Sequence, residues 1–119
     1  MAEVKRYAKS RDEISELLPN NMGGSIATDR ILVDGMPVGF MYRRVERCHS
    51  PDNGWCFLAG DETQEYLDES SKSAIYALNT IANYDPDIIP YLETPAPCAF
   101  EKIPGTHKYR RVDPPTENE

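Results

Sequence analysis

The chain has 119 residues, of which 39% are hydrophobic and 28% charged, and its formal net charge is −7. This length suits one domain with a single core. No apolar run approaches the roughly 18–20 residues that span a bilayer, and the first residues lack the apolar stretch of a secretory signal. The three cysteines, Cys48, Cys56 and Cys98, are odd in number and irregularly spaced, which argues against a disulfide framework. We therefore expect a reduced, cytoplasmic protein.

The acidic excess lies in the middle of the chain. Residues 46–95 hold ten Asp and Glu against only Arg47 and Lys72, whereas the segments on either side are close to neutral. Nucleic-acid binding needs Lys and Arg to neutralise phosphates, so this distribution argues against a nucleic-acid partner. It favours either a basic protein partner, whose encounter it would speed, or simply a surface that keeps the protein soluble.

In the first third of the chain, the pattern predicts a short helix and a β-hairpin. Ser10–Glu13 has the spacing of a capping box, and apolar residues follow at helical spacing as far as Leu18. Residues 25–33 have strand composition, Asp34-Gly35 is typical of a tight hairpin turn, and residues 38–45 alternate as a returning strand. The turn would make the two strands antiparallel neighbours.

Beyond a polar loop over residues 46–53 and a Gly54 turn, the chain predicts three more strands and two short helices. A capping-box spacing at Asp61–Gln64 marks the first helix, and Asp85-Pro86-Asp87 opens the second. The segment around Asn79 is ambiguous, because it fits a helix as well as a strand that passes into a loop; we favour the strand. The predicted strands are Trp55–Ala59, Ile75–Leu78 and Cys98–Ile103, with a short edge at Tyr109–Val112.

These elements predict one α+β domain with a mainly antiparallel sheet of four to six strands and two or three short helices. The expected core residues are Ile31, Phe40, Trp55, Phe57 and Phe100. The expected organisation is an N-terminal helical extension over residues 1–22, the domain over 23–112 and a flexible tail over 113–119.

Two sets of side chains could support chemistry. A small metal-assisted hydrolase could use Asp61, Glu62, Asp85 and Asp87. Their spacing matches no calcium loop, however, and Asp61 and Asp85 stand where helix caps are expected. Zinc ligands could come from Cys48, His49, Cys56, Cys98 and His107, but no Cys-x-x-Cys pair is present. We therefore expect no catalytic residue, metal site or cofactor, and a protein that is not an enzyme.

Two dense stretches, Gly54–Glu62 and Asn79–Leu92, combine apolar anchors with Asn, Asp, Gly and Pro, which fix turns and helix starts. We assign a structural role to Trp55, Phe57, Gly60, Asn79, Asn83, Asp85, Pro86 and Asp87. Both stretches, with the strand at 38–43 and the closing Ala99–Glu101, resemble a bacterial domain family grouped as immunity family thirty-three of polymorphic toxin systems. The resemblance covers roughly residues 25–102.

The resemblance implies a small α+β domain that neutralises a cognate toxin by binding it. If the acidic middle region covers a basic toxin surface, such as that of a nuclease, one short segment and two tyrosines are the candidate contacts. These are Asp61, Glu62, Glu65, Asp68 and Glu69, with Tyr66 and Tyr84 as anchors. The metal-assisted hydrolase and a housekeeping adaptor without a toxin remain open as alternatives, and a toxin gene beside this one would favour the immunity role.

Overall fold

The computed structural model describes residues 7–18, 23–45 and 52–114. Their strands are β1 Gly24–Thr28, β2 Phe40–Arg43, β3 Asp52–Leu58, β4 Ser73–Ala77, β5 Cys98–Lys102 and β6 Tyr109–Val112. The α-helices are α1 Asp29–Leu32, α2 Gln64–Asp68 and α3 Leu78–Tyr84. Three 3-10 helices span Arg11–Glu13, Ser70–Lys72 and Pro86–Tyr91. No helix in these ranges combines the length and apolar character needed to cross a membrane.

The six strands form one sheet in the order β4-β1-β3-β2-β5-β6. Only β1 and β3 are parallel; the other neighbouring pairs are antiparallel. The predicted fold class, an α+β domain with a mainly antiparallel sheet and short helices, is confirmed.

The core lies between one face of the sheet and the helices α1 and α3. Trp55 and Phe57 alternate onto this face of β3, where they are fully buried and their rings stack with centroids 5.9 Å apart. Met41 pairs with Phe57 on one side and with Phe100 on the other. Phe40 therefore points to the opposite face, where it is half-buried beside Tyr42. The prediction that Phe40 belongs to the core is wrong, whereas the other four predicted core residues are buried.

The predicted hairpin at Asp34-Gly35 is also wrong. The first strand ends at Thr28, and α1 follows it directly. Gly35 adopts a φ of +77° just beyond this helix, and its amide donates to the carbonyl of Ile31 over 3.1 Å. A glycine with positive φ suits a helix end as well as a hairpin turn, so the local sequence did not separate the two. The sheet neighbours of β1 are β3 and β4 rather than β2.

The predicted N-terminal helix is reduced to a single 3-10 turn at Arg11–Glu13. The expected cap contact is present, because Glu13 Oε1 accepts hydrogen bonds from the amide and the hydroxyl of Ser10 at 3.0 and 3.1 Å. The helix does not continue to Leu18, because side chains of α3 hold the main chain of residues 15–18.

Two further elements differ from the prediction. Asp52–Gly54, predicted as part of a loop and turn, belongs to β3, while residues 46–51 of that loop lie outside the described residues. The segment after Ala77 forms α3 instead of a loop, so the helical alternative at Asn79 holds there. The strand before Ala77, the helix after Asp85 and the last two strands are confirmed.

Gly39 permits the close approach of β2 and β3, which gives a first prediction. A Cβ atom at Gly39 would stand 2.0 Å from the main-chain oxygen of Ala59. Gly39→Ala should therefore destabilise the protein by about 3 kcal/mol or more, since backbone has to move. The control is Gly105→Ala, where no atom lies within 4 Å and only the φ of +76° is unfavourable, at a cost of about 1 kcal/mol. Equal losses in urea unfolding would contradict this explanation.

Candidate partner-binding surface

The helix α2 carries three of the predicted partner contacts, Glu65, Tyr66 and Asp68, and lies outside the core. Thr63 is its N-cap, and the Thr63 hydroxyl accepts a hydrogen bond from the amide of Tyr66 over 3.1 Å. The cap predicted at Asp61 is therefore wrong by two residues. None of the helix residues is buried, so α2 presents its side chains to solvent.

Asp61 is paired within the chain. The Arg30 guanidinium donates through Nε to Asp61 Oδ1 over 3.1 Å and makes a second contact with Oδ2. The same guanidinium reaches Asp34 over 3.0 Å. Hydrogen bonds from Arg30 hold the pKa of Asp61 below its ordinary value. Asp61 is thus paired with Arg30, which it shares with Asp34, and its side chain remains about half exposed.

Glu62 fixes the loop between β3 and α2. Its Oε2 accepts hydrogen bonds from the hydroxyl of Thr28 and from the amide of Ala59, over 2.5 and 2.8 Å. Its Oε1 accepts from the amide of Gly60 over 2.8 Å. With three donors from its own chain, Glu62 acts first as a structural carboxylate that joins the ends of β1 and β3.

The remaining carboxylates of the predicted set are exposed and lack a cation. Glu65, Asp68 and Glu69 all belong to α2 or to its C-cap, and within the described ranges none of them forms an ion pair. Among the described residues, the Asp68 carboxylate accepts a hydrogen bond only from Gln64 and the Glu69 carboxylate only from Ser71. We refer to Glu65, Asp68 and Glu69 as the acidic surface.

Tyr66 and Tyr84, the two predicted anchors, have different neighbours. Burial raises the pKa of the half-buried Tyr66, and the negative charges of Asp29, Asp34 and Glu62 raise it further. Tyr66 therefore sits among carboxylates, as a contact with a basic partner would require. Tyr84 ends α3 and accepts a hydrogen bond from the amide of Lys9 over 2.9 Å. Tyr66 thus shares α2 with the acidic surface but has Asp29, Asp34 and Glu62 near it, whereas Tyr84 contacts the N-terminal segment.

Asp85 and Asp87 belong to a polar network between the 3-10 helix Pro86–Tyr91 and the strands β5 and β6. Asp85 Oδ2 accepts hydrogen bonds from the amide of Val38, the Lys102 ammonium and the Tyr109 hydroxyl, over 2.9, 2.8 and 3.3 Å. Its Oδ1 caps the following 3-10 helix by accepting from the amide of Asp87. Asp87 Oδ2 in turn lies 3.3 Å from Lys102 Nζ and 2.9 Å from His107 Nδ1.

These contacts concern the metal-assisted hydrolase and the zinc site that the sequence could have supported. Of the four carboxylates proposed for a hydrolase, Asp61 and Glu62 accept from separate donors of their own chain, whereas Asp85 and Asp87 share the Lys102 ammonium. No cluster of three or more His, Cys, Asp or Glu side chains suited to a metal ion occurs in the part of the chain that the structure describes. Of the candidate zinc ligands, Cys56 and Cys98 are buried and not joined in a disulfide, and Cys48 and His49 lie outside the described residues.

Arg30, Thr63, Lys102 and Tyr109 shape this region and were not singled out from the sequence. Thr63 could have been recognised as the N-cap, because threonine is a preferred N-cap residue whose hydroxyl accepts from an amide two or three positions later. The others had no local signal, since Arg30 meets Asp61 across 31 residues and Tyr109 meets Asp85 across 24.

Comparison with known protein families matches residues 25–113 to the Immunity protein Imm33 domain. The match confirms the family resemblance seen in the sequence and extends it beyond residue 102, so that it includes β6. Comparisons with curated proteins and with solved structures gave no match.

The network around Asp87 gives a prediction for stability against pH. Burial acts to raise the pKa of Asp87, but hydrogen bonds from His107 and Lys102 outweigh it and lower the pKa below 3.8. A lowered pKa contributes stability above that value and loses it as the pH falls through the folded-state pKa. As the pH falls below about 5, the free energy of unfolding in urea should decrease less for Asp87→Asn than for the wild type. Asp68→Asn, which removes an exposed carboxylate without an ion pair, should follow the wild type; an Asp87→Asn profile parallel to both would contradict the assignment.

Proposed function

Because the chain belongs to the family of proteins with an Immunity protein Imm33 domain, we propose that it neutralises a cognate toxin by binding it, without catalysis. The observation that carries the proposal is the acidic surface: Glu65, Asp68 and Glu69 are exposed on one short helix segment and unpaired with any cation of the described residues. A cytoplasmic location is part of the proposal, because Cys56 and Cys98 are buried and not joined in a disulfide, as is usual for proteins of a reducing compartment.

Unpaired carboxylates on an exposed helix repel one another and contribute little to folding. A basic partner would relieve this repulsion, and the field of several like charges would accelerate the encounter. A toxin that cuts nucleic acid needs positive charge where it holds phosphates. The acidic surface could occupy that place and exclude the substrate. Tyr66, half-buried among carboxylates beside this surface, supplies an aromatic contact of the kind that anchors interfaces.

The internal pairing of the other acidic residues supports a binding function over the hydrolase. A catalytic or metal-binding carboxylate needs free lone pairs directed to one point. Asp61 is held by Arg30, Glu62 by its own loop, and Asp85 by three donors. Glu65, Asp68 and Glu69 are the acidic groups that remain for a partner on α2.

The electrostatic part of the proposal predicts a charge-sensitive association rate. The double variant Glu65→Lys/Asp68→Lys should associate with the cognate toxin about tenfold more slowly than the wild type at low salt. High salt should remove most of the difference, because it screens exposed charges. The control, Glu93→Lys/Asp113→Lys, makes the same change of net charge at exposed positions away from α2. Stopped-flow mixing at two salt concentrations measures the rates; equal slowing by both pairs would assign the effect to net charge alone.

The non-enzymatic part of the proposal predicts the metal content. Purified protein should contain no stoichiometric zinc or manganese. Asp85→Asn should lower the free energy of unfolding by about 3 kcal/mol or more, because it weakens a buried ion pair, and should leave the metal content unchanged. Glu93→Gln, at an exposed position, serves as the control for stability. Stoichiometric metal that is lost in Asp85→Asn would favour the hydrolase.

A further inference from the structure

The two outer strands of the sheet, β4 and β6, differ in charge. The strand β6 carries Arg110 and Arg111, and both are exposed. Charged side chains on an outer strand discourage pairing with another sheet. The strand β4, Ser73–Ala77, contains no Asp, Glu, Lys, Arg or Pro, in a protein whose net charge is −7. The β6 edge is therefore protected against pairing by its charges, whereas the β4 edge is not.

The hydrogen-bond pattern shows which main-chain groups of β4 face outward. The amide of Leu78 donates to the carbonyl of Gly23 over 3.0 Å, where the ladder between β1 and β4 ends. Every second residue of an antiparallel strand bonds to the same neighbouring strand, so three residues of β4 direct their main-chain groups away from β1. They are Ser73, Ile75 and Ala77. Among the described residues, the amide and the carbonyl of Ile75 have no other hydrogen-bond partner.

The side chain of Ile75 extends an apolar row across the sheet. Directly paired residues share a face, and the row runs from Ile75 through one residue of each of the next three strands, Ile26, Cys56 and Tyr42. Tyr42 stands on the face opposite the core, so Ile75 does as well. Ile75 is 44% exposed. The row therefore ends at an exposed isoleucine on an unprotected edge.

The sequence of β4 is complementary to itself about Ile75. In an antiparallel pair of two β4 strands with a twofold axis at Ile75, Ser73 stands opposite Ala77 of the other copy, and Ala74 stands opposite Tyr76. On one face each tyrosine ring thus meets a small side chain, and on the other face the two isoleucines meet. The amide and carbonyl of Ile75 bond to those of its equivalent, and the Ala77 amide donates to the Ser73 carbonyl.

The same register keeps the acidic surfaces of two copies apart. Each acidic surface precedes β4 in the chain and joins it through Ser70–Lys72. In the antiparallel pair the two Ser73 residues lie about 13 Å apart along the strands, at about 3.3 Å per residue. This separation exceeds the Debye length of about 8 Å at physiological ionic strength. A parallel pair would bring the two acidic surfaces side by side, so the charge of the chain favours the antiparallel one.

We propose that the β4 edge is a dimerisation surface, at which β4 of a second copy of this chain continues the sheet. A second copy fits this edge because its strand presents small residues opposite large ones, and because an uncharged strand selects no charged partner. The twofold pairing closes at two copies, and the arginines of β6 oppose further growth. A single strand pair buries less than the roughly 1,200 Å² of a standard stable interface, so the dimer forms reversibly. The proposal does not rest on toxin binding.

Sedimentation equilibrium of the full chain over about a hundredfold range of concentration tests the surface. We expect a monomer–dimer equilibrium. Ile75→Lys should raise the dissociation constant of the dimer about tenfold or more, because it places two like charges directly opposite each other. The control, Ile103→Lys, adds the same charge just after β5, at an isoleucine that is 37% exposed, and should match the wild type. A monomer at every concentration, species larger than the dimer, or equal effects of the two variants overturn the proposal.

Cysteine substitutions test the register and do not depend on how Ile75→Lys folds. Ile75→Cys places the two new thiols on residues whose Cα atoms are about 5.5 Å apart, a distance that a disulfide spans. Ala77→Cys places them about 13 Å apart along the strands, which is too far. Air oxidation followed by non-reducing electrophoresis should show a covalent dimer of Ile75→Cys, above the level that the native cysteines give in the wild type. Ala77→Cys should stay at that level. Equal crosslinking of both variants, or none by Ile75→Cys, overturns the proposal.

Discussion

One buried carboxylate links the helical layer to three strands. Asp85 is 4% exposed and accepts hydrogen bonds from Val38 before β2, from Lys102 in β5 and from Tyr109 in β6. A buried carboxylate that loses its partners is strongly destabilising. The 3-10 helix that Asp85 caps can therefore pack only where the ends of these strands have already come together. This constraint orders one half of the sheet, β2-β5-β6, relative to the helices.

The other half of the sheet determines where the acidic surface lies. Because β1 and β3 are parallel and β4 is the next strand along the chain, the connection from β3 must pass β1 before it reaches the edge of the sheet. That connection contains α2, and Glu62 fastens its start to Thr28 at the end of β1. None of the residues of α2 is buried, so the core places no demand on its side chains. A run of unpaired carboxylates is tolerated there because they remain in water.

Alternating hydrophobicity was enough to predict β3 and its core face. Side chains two residues apart in a strand lie on the same face, so Trp55 and Phe57 are buried together. The hairpin prediction failed because Gly35 supplies a positive φ to either kind of turn. The prediction of an N-terminal helix failed for a different reason. The amide of Leu17 donates to the side chain of Asn79, which lies 62 residues away in the sequence. For the candidate site, composition located the acidic residues, but only the folded chain shows that Asp61 is paired with Arg30.

These arrangements separate the residues that specify the fold from those available for recognition. The free energy of folding rests on the core and on the buried hydrogen bonds of Asp85. By contrast, Glu65 and Asp68 make no contact on which a strand or the core depends. Substitutions on α2 can therefore change the charge pattern with little effect on stability. A domain built in this way could be matched to different partners by changes in one exposed helix, while Asp85 and Trp55 keep the sheet and its helices in place.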